Sequence, residues 1–152
     1  MAHYDFNNIT GYSYEQLFET MRTMLLPYTE AEQLYRRMVF NVMARNCDDH
    51  TKNFGFIMDK TGTWKLAPAF DVCHAYRPAS TWVHQHSLSV NGKRQNITRD
   101  DLLAVAKSMN IKKADAIINQ INTVVSCWND FAAKTDVSPD LRDAIDKTLL
   151  LL

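Results

Sequence analysis

A mainly α-helical domain carrying one small β-hairpin is the fold class this sequence predicts. Apolar residues recur at helical spacing, as in Leu34, Tyr35, Met38, Val39 and Val42. Helix-start signatures precede several such stretches. A single Gly-bearing turn, Asp59-Lys60-Thr61-Gly62, separates two short runs rich in β-branched and aromatic residues.

The elements follow in order. Ser13 with Gln16 three places on forms a capping box, so a helix is expected over Tyr14–Leu26, closed by Pro27. Thr29 with Glu32 repeats the signature and opens a second helix to about Arg45. Phe54–Met58 and Thr63–Ala67 read as the two strands, with Gly62 supplying a positive φ at the turn. Asp100–Met109 reads as a helix capped near Thr98. Lys112 to about Ala133 reads as one long helix with Ile117, Ile118, Ile121, Val124, Val125 and Trp128 on its buried stripe. Ser138 and Pro139 begin the last helix as N-cap and first helical residue. Leu149–Leu152 is too short for a membrane anchor and is expected to dock as a helix end or to mark a cut. No repeat or low-complexity linker interrupts the chain, and residues 1–152 read as a single domain.

Composition narrows the function. The 152 residues are 46% hydrophobic, and 17 basic residues balance 17 acidic ones. Zero net charge argues against direct nucleic-acid binding, which needs clustered excess Lys and Arg. No apolar run approaches a membrane span, and Met1–Phe6 has no signal-peptide shape. Three cysteines, Cys47, Cys73 and Cys127, have no CxxC spacing, which suits a reducing cytoplasm better than disulfides or zinc. Cys47 and Cys73 are expected to be small buried thiols rather than a redox pair. His74, His84 and His86 are expected to be structural or surface histidines, His84 and His86 having no obvious partner. Asn91-Gly92-Lys93-Arg94 reads as a solvated hairpin tip, with a phosphate-facing basic loop as the alternative. The Trp128–Phe131 region and the methionines of the second helix read as core.

The chemistry concentrates in Asn46-Cys47-Asp48-Asp49-His50-Thr51-Lys52-Asn53 and in Leu66-Ala67-Pro68-Ala69-Phe70-Asp71. An antiparallel hairpin is entered and left at the same end, so Asn53 and Asp71 should converge although they lie far apart in sequence. Asp48 followed five places later by Asn53 has the spacing of a protein-kinase catalytic loop. In that reading Asp48 orients a substrate hydroxyl, while Asn53 and Asp71 offer hard oxygens to magnesium. His50 and Lys52 would offset charge on the transferred phosphoryl group. Asp49, the adjacent acid, is the alternate to Asp48.

Asp48-Asp49-His50-Thr51-Lys52-Asn53-Phe54 followed by Leu66-Ala67-Pro68-Ala69-Phe70-Asp71-Val72 closely resembles the HipA-like serine/threonine kinases, toxin components of bacterial toxin–antitoxin modules. The resemblance covers nearly the whole chain as that family's helical carboxy-terminal lobe. It implies Asp48 as the catalytic acid, Asn53 and Asp71 as metal ligands and His50 as a phosphate-side contact. It further implies Mg2+ and ATP, a protein substrate with a Ser or Thr hydroxyl, and a DNA-binding antitoxin as partner.

The amino-terminal lobe of such an enzyme has no counterpart here. Gly11, Gly55, Gly62 and Gly92 form no Gly-rich loop, and no strand-borne Lys precedes Asp48. The chain is therefore expected to need a nucleotide-binding lobe or split-gene subunit, and to be inactive alone, because positioning is most of this chemistry. Two other readings stand beside the kinase: a metal-dependent phosphohydrolase using Asp48, Asp49, His50 and Asp71, and a non-catalytic remnant that binds a partner.

Overall fold

Why the first helix begins where it does is visible in two reciprocal hydrogen bonds. In the computed structural model, which describes residues 11–152, the Ser13 hydroxyl accepts from the Gln16 backbone N–H at 3.3 Å. The Gln16 side chain accepts from the Ser13 N–H at 2.9 Å. The expected capping box is present and launches α1, Tyr14–Thr23. This helix stops a turn before Leu26, because Leu25 takes a left-handed φ of 56° and Leu26 N–H returns to the Met21 carbonyl. Tyr14, Leu17, Phe18 and Met21 form its buried stripe. The start Met1–Phe6 lies outside the described residues.

The second helix, α2 (Tyr28–Met43), corrects one expectation. Pro27 is its N-cap with no side-chain cap bond, and Thr29 sits inside the helix. Proline's fixed φ already aims the chain into the helix. Glu30 and Glu32 serve elsewhere: Glu30 accepts from the Leu66 N–H at 3.0 Å, and Glu32 pairs with Arg36 at 3.2 Å.

The hairpin is real but shorter than expected, β1 Phe56–Met58 and β2 Trp64–Leu66, with Phe56 opposite Leu66 and Met58 opposite Trp64. Its turn is tied by the Asp59 carboxylate, which accepts from the Thr61 and Thr63 N–H groups at 2.8 and 3.1 Å. Gly62 supplies the positive φ of 86°. Next, α3 (Arg99–Met109) starts with a capping box between Thr98 and Asp101.

The expected long helix over 112–133 is instead two, α4 (Ala114–Ser126) and α5 (Trp128–Lys134), broken at Cys127. No Pro or Gly marks this break. The Trp128 indole N–H donates to the Arg142 carbonyl at 3.0 Å, so α5 turns onto α6 (Pro139–Asp146). Pro139 begins α6 as anticipated, but the Ser138 side chain makes no cap bond.

The core gathers around α2, which packs on α1, α4 and β2. Leu34, Tyr35, Met38, Val39 and Val42 are buried there against Leu102 and Ile118. The C-terminal leucines dock beyond the end of α6 rather than as part of a helix: Leu150 N–H donates to the Met43 carbonyl and Leu152 N–H to the Asn122 side chain, both at 2.9 Å. Among the described residues no helix is long and apolar enough to cross a membrane. The three cysteines are unpaired with one another; Cys47 is buried as expected, whereas Cys73, in the irregular segment after the hairpin, is exposed.

Candidate active site

The segment leaving α2 is compressed. Arg45 turns left-handed, Asn46 N–H reaches back to the Asn41 carbonyl at 2.9 Å, and Thr51–Asn53 makes a single 3-10 turn. The Asn53 side-chain N–H donates to the Asp48 carbonyl at 2.9 Å, closing the stretch between the two residues into a ring. Chain entry to the hairpin and its exit then meet as the antiparallel pairing requires. Asn53, Phe54, Asn46 and Asp49 line one narrow cleft together with Phe70, Asp71 and Val72. Two residues 18 positions apart in sequence therefore border the same cleft.

The two neighbouring acids have opposite surroundings. The Asp48 side chain is 46% exposed, with the His50 imidazole 3.9 Å away. Asp49 is completely buried. Its Oδ2 accepts from the Tyr14 hydroxyl at 2.7 Å and faces His86 Nδ1 at 2.9 Å. Its Oδ1 accepts from the Ser87 and Leu88 N–H groups at 2.8 and 3.4 Å. A carboxylate with both oxygens engaged in the interior is an anchor, and Asp48 is the acid left at the surface. Burial makes Asp49 the less accessible of the two adjacent acids.

His86, expected to be structural or superficial and without a partner, is 1% exposed and is the counter-ion of Asp49. Burial alone would lower its pKa, but the Asp49 carboxylate outweighs that and pushes the imidazole up to about 10. A buried carboxylate needs such compensation. His74 and His84 hydrogen-bond Thr148 and the Ser80 carbonyl, as structural histidines do. The Asn91–Arg94 turn has the positive φ values at Asn91 and Gly92 that a tight hairpin demands. Its cations are engaged inward: Lys93 pairs with Asp101 at 2.9 Å, and Arg94 donates to the Ser87 and Tyr12 carbonyls. The tip itself, Asn91 to Lys93, is exposed as expected, and the two cations brace it to Asp101 and to the backbone.

Lys52 is exposed on the 3-10 turn and the His50 side chain is about a quarter exposed. Asp71 is exposed and has a left-handed φ of 52°. Its carbonyl accepts from the Asn46 amide at 3.4 Å. The Asn46 Oδ1 is buried at the same cleft with no hydrogen-bond partner. Amide and carboxylate oxygens are the donors a hard cation such as magnesium takes, so this set fits such an ion. Among the described residues no group of three or more His, Cys, Asp or Glu side chains is placed to hold a metal ion.

Sequence reasoning missed Tyr14, Asn41 and the role of His86, because no local pattern links Asp49 to residues 35 positions before or 37 after it.

A helical lobe with an Asp–Asn loop, a hairpin and a closing Asp defines the class. The profile of the HipA-like C-terminal domain matches residues 1–128, and the chain belongs to that family. The α5 and α6 helices lie almost wholly beyond the matched stretch. No curated protein sequence matches the chain.

Proposed function

We propose that this chain is the catalytic-loop and metal-binding lobe of a HipA-like serine/threonine protein kinase, moving the γ-phosphoryl group of ATP to a Ser or Thr hydroxyl. The observation that carries the reading is the convergence of Asn53 and Asp71 on one cleft, with the surface acid Asp48 tied to Asn53 through its backbone carbonyl. In it, Asp48 accepts a hydrogen bond from the substrate hydroxyl and aims its oxygen at the phosphorus. Asn53 and Asp71 would hold Mg2+, which when bound neutralises charge on the phosphates. Asn53 also ties the loop to itself through the Asp48 carbonyl, so acid and ligand are set by one hydrogen bond. His50 and Lys52 stand on the same turn and would contact the transferred phosphate.

The nucleotide-binding half comes from a further lobe or subunit, and a DNA-binding antitoxin is the family-type partner. The phosphohydrolase alternative loses one of its four residues, because the Asp49 carboxylate is taken up by Tyr14, His86 and two backbone amides.

The test is phosphate transfer from radiolabelled ATP in this lobe joined to a nucleotide-binding lobe. Asp48→Ala and Asp71→Ala should each reduce transfer at least ~100-fold while circular dichroism stays unchanged, as expected when a positioning group is removed from chemistry that is mostly positioning. Transfer retained by both variants would remove the assignment.

A further inference from the structure

The cleft has two walls from different parts of the chain, and a buried string of polar side chains runs between them. The Tyr14 hydroxyl gives its proton to Asp49, so its oxygen can only accept, and the Asn41 amide donates to it at 2.9 Å. Asn41 must then present its oxygen the other way, where the Asn46 amide donates at 3.1 Å. The same Asn46 amide group donates to the Asp71 carbonyl at 3.4 Å. The direction of every bond follows from the charge on Asp49, and neither amide can flip without losing a partner. Asn41 and Asn46 are 4% and 2% exposed, and Tyr14 is fully buried.

At the far end of the string, Asp71 has a backbone conformation that an L residue adopts infrequently. Such conformations persist where the surroundings over-determine them, and they concentrate at functional positions. The Asn46 bond is the hydrogen bond Asp71 makes among the described residues. Four residues on, Ala75 is fixed to the same loop, donating to the Arg45 carbonyl and accepting from the Cys47 N–H at 3.0 and 3.1 Å. The stretch 71–75 is thus pinned at both ends by residues 45–47.

We propose that Tyr14, Asn41 and Asn46 are positioning residues: their hydrogen-bond string, oriented by Asp49, holds Asp71 in its left-handed conformation at the cleft shared with Asn53. The consequence for metal binding rests on the reading of Asn53 and Asp71 as ligands, whereas the conformational role does not.

The experiment is NMR on the labelled chain, using Mn2+ alone as the probe. The HN–Hα coupling and Cα/Cβ shifts of Asp71 report its φ; Mn2+ broadening at Asn53 and Asp71 reports the cation. Asn46→Ala and Tyr14→Phe should both move Asp71 toward ordinary negative φ and weaken Mn2+ binding about tenfold. Tyr14→Phe keeps the ring that meets Phe54 edge-on at 5.6 Å, so it decides the matter if Asn46→Ala does not fold. Tyr35→Phe is the control: it loses a buried bond to the Leu102 carbonyl at 3.0 Å and should lower Tm without touching either signal. An unchanged Asp71 coupling in Tyr14→Phe, or an equal change in Tyr35→Phe, overturns the positioning role. Broadening at Asn53 that survives Asp71→Ala overturns the metal reading and leaves the positioning role standing.

Discussion

Asp49 and Asp101 are both nearly solvent-free carboxylates that gather several donors, yet they are built by opposite means. Asp101 collects its partners locally: the Thr98 N–H and hydroxyl, both at 2.8 Å, Asn91 and Lys93 at 2.9 Å. Burial would raise its pKa, but Lys93, Asn91 and Thr98 together hold it well below the ordinary carboxylate range. Asp49 collects Tyr14 from α1 and His86, Ser87 and Leu88 from the long irregular segment before α3. One acid starts a helix, and the other fastens three distant pieces of chain behind the candidate site. Burial of a charge is tolerated in both because every oxygen is answered.

The sharpest way to break this contrast is truncation. Asp49→Ala leaves the buried His86 imidazole without its counter-charge and should cost ~3–5 kcal/mol, read from urea unfolding. A loss below about 1 kcal/mol would mean the pair is not the fastening we describe, given what breaking a buried ion pair costs. Asp101→Ala removes a cap partner and a pair whose lysine end is half exposed, so the expected loss is ~1–2 kcal/mol by the same measurement. If the two variants lose equally, distance along the chain does not distinguish the anchors.

The most specific effect is on pH. His86 is raised in the folded protein from an ordinary 6.5 to about 10. Its contribution is therefore fully present below pH 6.5 and is lost as pH rises toward 10. Asp101 is lowered, so its contribution is present above the ordinary carboxylate value and is lost as pH falls below it. Urea midpoints at pH 6 and pH 9 should fall in the wild type and stay nearly level in Asp49→Asn. A wild-type midpoint that rises between those pH values would contradict the sign of the His86 shift.

This contrast also measures how far the sequence could be read. The Asn53–Asp71 convergence was legible because a hairpin has only one way to close, and Gly62 with Asp59 marks its turn. The Ser13–Gln16 cap was legible for the same reason, since its partners are three residues apart. Thr29 misled because Pro27 had already set the helix entry, and the break at Cys127 was hidden because its cause, Trp128 reaching Arg142, is a contact across helices. Spacing to Asn53 singles out Asp48, but nothing local shows that Asp49 is the buried acid.

By itself, the sequence determined the class of fold, the family, and which oxygen-bearing residues could meet, because helical period, caps and turns act over a few residues. Only the tertiary structure decided which of two adjacent acids is buried, where His86 finds its charge, and which side chain meets the Asp71 carbonyl. Those outcomes depend on desolvation and on partners dozens of residues away, and both exist only once the chain has closed on itself.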